Sequence, residues 1–202
     1  MPTDLTKPAP TLTYGHRPKP FAAELEMELT AHELIATRGR SSLRFPLTAV
    51  EKVELVFSPR NTAHHAFSCR VRATDGRSVI FDSLSWKSLI ETERQDEAYT
   101  RFVRAVVSRA RAHNTNMILQ AGVAPFKFWG MFSLGIPVMA GLAGIAAYAF
   151  ASSGVFSGFL AIALFVYLGW WLRDYLRRNR PAIIPTDEIP ARVLPHNGGT
   201  SA

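Results

Sequence analysis

The sequence predicts an α+β protein: an antiparallel β-sheet capped by a C-terminal amphipathic helix, followed by a two-helix transmembrane hairpin. Three observations carry this prediction. Phe128 to Leu172 contains no Asp, Glu, Lys or Arg. At about 1.5 Å per residue, one helix of that length would run to roughly 67 Å, over twice a ~30 Å hydrocarbon core, so the stretch reads as two crossings. Residues 21–86 break into short alternating apolar runs separated by turn residues, the pattern of half-buried strands. Tyr99, Phe102, Val103, Val106, Val107 and Ala110 then recur at helical spacing and make one apolar stripe.

Taken in order, residues 1–20 are rich in Pro and Thr and read as a flexible or extended leader. Residues 21–113 form the soluble domain. Glu24 to Leu29 alternates Leu25, Met27 and Leu29 against glutamates, giving a strand with one wet face. Further runs are expected at 34–37, at 43–45 (ending on Pro46), at 50–57, at 67–72 and at 78–82. The last two are joined by Asp75-Gly76, a hairpin signal. Five or six antiparallel strands in meander order result, with no strand evident between Trp86 and Glu91. A helix of about 92–113 is expected to open on the capping pattern Thr92-x-x-Gln95 and to lie over the apolar face of the sheet.

Residues 114–127 read as a connector whose Met117-Ile118-Leu119 can lie at the membrane interface. The hairpin occupies 128–176, with spans at about 128–151 and 155–176 and a turn at Ala151-Ser152-Ser153-Gly154. Ala140-x-x-x-Gly144 and Ala143-x-x-x-Ala147 have the spacing that lets helices approach closely, either within the hairpin or at a dimer seam. The basic tail, 177–202, spaces Pro185, Pro190 and Pro195 behind apolar residues. It reads equally as a segment docked on the domain or a partner and as a loose tail.

The 202 residues carry 23 Lys+Arg against 16 Asp+Glu, a net charge of +7. Such an excess suits nucleic acid or an anionic membrane surface. With a membrane hairpin present, lipid headgroups are the simpler partner and no nucleic acid is expected. The single cysteine, Cys69, excludes an internal disulfide and a CxxC metal site. Residues 1–20 hold no apolar core, so no cleavable signal is expected. Lys127, Arg173, Arg177, Arg178 and Arg180 flank the outer ends of the hairpin, offset by Asp174. The positive-inside rule then expects both termini on the cytoplasmic side of an inner membrane. Lys127, Trp129, Trp170, Trp171, Arg173, Arg177 and Arg178 are the expected interface anchors.

The run Arg40-Ser41-Ser42-Leu43-Arg44-Phe45-Pro46-Leu47-Thr48-Ala49-Val50, continuing to Leu55, resembles the core of bacterial pleckstrin-homology-like (PH-like) domains. Asp75 to Phe81 resembles their penultimate hairpin. The resemblance covers roughly residues 22–112 and departs from the family at Trp86–Glu91. It implies a PH-like fold with a membrane-associated or scaffolding role, and no chemistry.

A search for chemistry agrees. There is no GxxxxGK[ST], GxGxxG, GxSxG or HExxH. His64-His65 lie in a turn without companion ligands. Cys69 reads as a packed thiol, and the acidic residues around Glu93 and Asp96 complement a helix start. No catalytic residue, metal or cofactor is expected. No ionisable residue lies within the spans, which argues against a stand-alone pump or transporter. Arg38, Arg40 and Arg44 are candidate lipid-headgroup ligands, unless they serve as edge-strand charge. The expected function is a non-enzymatic integral inner-membrane adaptor whose cytoplasmic domain binds protein or lipid. The alternatives are an accessory subunit of a larger membrane complex, such as a transporter or oxidase, and a membrane enzyme with an unrecognised site.

Overall fold

The structure is a computed structural model and describes residues 10–59, 65–152, 155–185 and 189–195. The chain divides into two compact units: Met1–Ala121 with Ala182–Ala202, and Gly122–Pro181.

The first unit is α+β. One sheet is a four-stranded antiparallel meander of β1 (Leu12–His16), β2 (Leu25–Leu29), β3 (Glu33–Arg38) and β4 (Ser41–Pro46). β1 falls in the expected leader. Its register places Tyr14 opposite Met27 and His16 opposite Leu25. It forms because Tyr14 and His16 face inward and are buried, while the chain supplies little local apolar pattern to announce it.

The second sheet is built on β5 (Val50–Pro59), β6 (His65–Ala73) and β7 (Ser78–Asp82), antiparallel in sequence order. Phe67, Cys69 and Val71 are buried while Arg70 and Arg72 are exposed, as their alternation requires. A short hairpin of β8 (Leu84–Trp86) and β9 (Thr92–Arg94) follows. The segment that showed no strand signal is thus its loop. α1 (Asp96–His113) begins at an N-cap of Gln95 with no side-chain cap bond, because Thr92 belongs to β9. The expected capping box is therefore not used, and the helix starts four residues later. The apolar stripe behaves as expected: Tyr99, Phe102, Val103, Val106, Val107 and Ala110 are all buried. Rings of Tyr14, Phe81, Tyr99 and Phe102 meet with centroids 5.6–6.2 Å apart, so the helix closes on both sheets.

β10 (Ile118–Ala121) corrects the interfacial expectation for 117–119. It runs parallel to β5, with Leu119 opposite Val53, and Met117 and Leu119 are buried. β11 (Ala182–Ile184) pairs antiparallel with β10. The second sheet accordingly has the order β11-β10-β5-β6-β7. The tail is docked over 182–185 and 189–195. Ile184, Ile189, Val193 and Leu194 are buried, and Arg111 donates to the carbonyls of Ile184 (3.1 Å) and Pro185 (3.2 Å). Burial of the apolar residues ahead of each proline explains their regular spacing.

The second unit is a helical hairpin of α2 (Pro125–Ser152) and α3 (Val155–Arg178), both long and apolar enough to cross a membrane. The expected turn is described only to Ser152; Ser153 and Gly154 lie outside the described residues. Partly or fully covered positions on α2 include Gly135, Met139, Leu142, Ala146 and Ala149. On α3 they include Gly158, Ala161, Phe165, Leu168 and Leu172. Both series step by three and four, the spacing of a shallow antiparallel crossing. A side chain at Gly135 would press on Leu172, at Gly158 on Phe150, and at Gly169 on Met139. The seam is therefore not made by the motifs singled out above: Ala140, Ala143, Gly144 and Ala147 are exposed on other faces. The hairpin's open end is pinned by backbone. Gly122 has φ +79°, and a Cβ there would lie 2.5 Å from the carbonyl oxygens of Asn179 and Arg180, so only glycine fits. The Val123 N–H donates to Asn179 O at 3.1 Å.

Candidate functional site

The candidate site forms where the inner face of the first sheet runs out from under its cover. In β3, residues 34, 36 and 38 share a face. Leu34 and Ala36 are buried, and this parity turns Arg38 toward the same side at the strand's end. In β4, residues 41, 43 and 45 share the corresponding face. Phe45 is buried, yet Leu43 is 40% exposed. The register joins these positions, with Leu34 opposite Phe45, Ala36 opposite Leu43 and Arg38 opposite Ser41.

What covers Phe45 is an arginine. The Arg77 guanidinium lies 5.5 Å from its ring centroid, a cation–π contact. Asp75 holds that arginine in place by accepting from the Arg77 backbone N–H at 2.9 Å and from Nε at 2.6 Å. The same two donors hold the Asp75 carboxyl below the usual carboxylate range. Beyond Arg77 the cover stops, and a groove of about 390 Å³ opens between β4 and β7. Leu25, Ala36 and Leu43 form one wall, and Val79 and Ile80 the other. Arg38, Ser41 and Ser78 supply its polar lining, which contains no carboxylate. The volume falls in the range of small-molecule and peptide clefts.

The three predicted headgroup arginines are not equivalent. Arg38 lines the groove, and Arg40 follows it in a turn that Gly39 makes possible at φ +58°. Both are exposed, and neither has a carboxylate partner among the described residues. Arg44 shares the opposite face with Ser42, away from Phe45, and pairs with Glu33 at 3.4 Å. Such an exposed pair contributes about 0–1 kcal/mol. The expected convergence of all three is thus reduced by the two-residue period of the strand to Arg38 in the groove, with Arg40 exposed in the adjoining turn. The apolar walls escaped notice because Leu25, Leu43 and Ile80 read as ordinary strand residues. The only sequence signal was a leucine between Ser42 and Arg44 in a strand that ends on proline.

The remaining reactive side chains are structural. Cys69 is fully buried, which pushes its thiol well above the ordinary range, with Asp82 adding to the effect. Tyr14 is raised by burial and by Asp82 and Asp96, and its hydroxyl donates to Asp82 O at 2.6 Å. Ser68 Oγ donates to the Asp82 carboxylate. His64 lies outside the described residues, and His65 opens β6. Among the described residues no group of three His, Cys, Asp or Glu gathers as a metal site.

In the hairpin, Gly135 meets Leu172, so the start of α2 and the end of α3 share one end. The expected anchors cluster there. Lys127 and Trp129 are exposed, and the Trp129 ring packs edge-on against Phe128 and Phe132. Trp170 is exposed and Trp171 stacks on Tyr175 at 5.8 Å. Arg173 and Arg177 are exposed, and Arg178 donates to both Asp174 oxygens at 2.9 and 3.1 Å.

Compared with known proteins, the chain matches no family model, and no curated protein matches it in sequence.

Proposed function

We propose that the protein is a non-enzymatic adaptor of the inner membrane, with cytoplasmic termini and a PH-like soluble domain that binds protein or anionic lipid at the β4–β7 groove. The observation that carries this reading is the pairing of an open apolar groove with Arg38 and Arg40, which no carboxylate of the described residues neutralises. Two membrane-length apolar helices support the membrane assignment. Seven antiparallel strands, β1 to β7, that precede α1 with the β8–β9 hairpin between support the PH-like assignment. Clustering of Lys127, Arg173 and Arg177 at one hairpin end supports the orientation.

Crosslinking of the full chain in its native membrane tests the adaptor role. A protein or lipid adduct at the groove that Arg38→Ala with Arg40→Ala removes is the expected result. An unchanged pattern of adducts overturns it. Orientation is tested by Ser153→Cys, which an impermeant thiol reagent should label from outside intact cells.

A second reading, an accessory subunit of a larger membrane complex, is favoured by one feature. Gly141 and Gly144 have nothing within 4 Å of where a side chain would stand. Another helix can approach closely there. A native mass in gentle detergent above that of a monomer or homodimer supports this reading.

A further inference from the structure

We propose that the groove takes an extended acidic peptide by strand addition, a proposal that rests on the adaptor reading and names its partner. Three observations lead to it. First, the groove lies between two sheet edges. β4 ends the first sheet and β7 ends the second, each with one paired neighbour. Among the described residues no backbone hydrogen bond joins β4 to β7. Unpaired edges are templates for another strand.

Second, the stretches of the two edges at the groove, 41–43 and 78–80, carry neither charge nor proline. Natural open edges carry inward-pointing charge, proline or bulges along their length. Here Leu43 and Ile80, 40% and 43% exposed, present apolar side chains on either side of the cleft, and the proline of β4 stands only at its far end, at Pro46. The stretches 41–43 and 78–80 that line the groove offer about 7 Å of edge each. That suffices for a three-residue bridge whose alternate side chains enter the apolar walls.

Third, the charge is one-sided. Arg38 lines the groove and Arg40 stands next to it, while no Asp or Glu lines it. A strand with a carboxylate at its end beside Ser41, opposite Arg38, meets the groove-lining guanidinium and has Arg40 two residues along the turn; a basic or neutral strand leaves them unanswered. An anionic lipid satisfies the arginines as well, but it has no backbone to engage the two edges.

The test uses the full chain in phosphatidylcholine nanodiscs. The probe is a fluorescein-labelled (Val-Glu)4 peptide, read by anisotropy. Two further versions are N-methylated at every second amide, one in each phase, which keeps side chains and charge but deletes backbone donors. Saturable binding is expected for the parent peptide. At least one N-methylated version should weaken it about tenfold or more, as should Arg38→Glu with Arg40→Glu, and Leu43→Lys with Ile80→Lys. Equal binding of all three peptides overturns strand addition. Capture by phosphatidylglycerol vesicles without peptide binding also overturns it, yet leaves the adaptor reading standing with lipid as the ligand. Failure to bind either probe, with native crosslinks at the groove also absent, removes both.

Discussion

α1 and α2 are both helices rich in apolar residues, but they behave oppositely. α1 has charge on most of its surface and buries six apolar side chains in one stripe. α2 is apolar nearly throughout and buries only Ala146. A helix with a charged face turns its apolar stripe to where protein covers it. A helix that is apolar on every face needs no protein cover if its solvent is hydrocarbon. The difference teaches that apolar content locates the solvent, while apolar spacing locates the core.

The sharpest way to break this comparison is to truncate one side chain in each helix. Phe102→Ala should cost about 3–5 kcal/mol of the first unit's stability, because it empties the ring cluster with Tyr14 and Phe81. Ile136→Ala, at a position 57% exposed on α2, should cost within about 0.5 kcal/mol. Chemical denaturation in mild detergent measures both, and similar losses would sink the contrast.

Charge inverts the ranking. Ile136→Arg should oppose membrane insertion by roughly 2.5–3.5 kcal/mol, seen as a loss of membrane-integrated protein. Arginine on the solvent face of α1, as at Arg101 and Arg104, is already tolerated.

Within α2 the seam can be separated from the exposed face by two adjacent residues. Ala146→Leu overfills the contact with α3 and should destabilise the hairpin by about 1–3 kcal/mol. Ala147→Leu, exposed, should leave it unchanged. Thermal unfolding followed by circular dichroism in detergent distinguishes them.

The smallest effect belongs to the first unit alone. The Asp75 carboxyl is lowered in the folded state by the Arg77 donors, so its stabilising effect is present above the unfolded carboxylate range and is lost as pH falls through its lowered value. Asp75→Asn should therefore flatten the acid limb of a urea-midpoint profile slightly. An acid limb made steeper by the substitution would reverse the assignment.

Much of the fold was legible from local pattern. The alternation of Leu25, Met27 and Leu29, the Asp75-Gly76 hairpin and the stripe from Tyr99 to Ala110 all appear where period and turn chemistry put them. What was not legible differs in cause. β10 and β11, of four and three residues, show too few repeats for periodicity and pair with segments distant in the chain. β1 pairs with the neighbouring β2, but its inward positions are Tyr14 and His16 rather than aliphatic residues, so no apolar alternation marks it. The Thr92-x-x-Gln95 pattern failed for the related reason that Thr92 was already paired to Trp86 across the β8–β9 hairpin.

By itself, the sequence determined two membrane-length apolar helices, an amphipathic helix and a set of alternating strands, because each follows from the solvent a side chain must meet. Tertiary structure decided which edges stay open, which small residues make the helix seam and which arginines reach the groove. Those outcomes depend on register and on what packs overhead. Arg38 and Arg44 are alike in sequence, and only their parity against Phe45 and Ala36 separates a groove-lining residue from a surface ion pair.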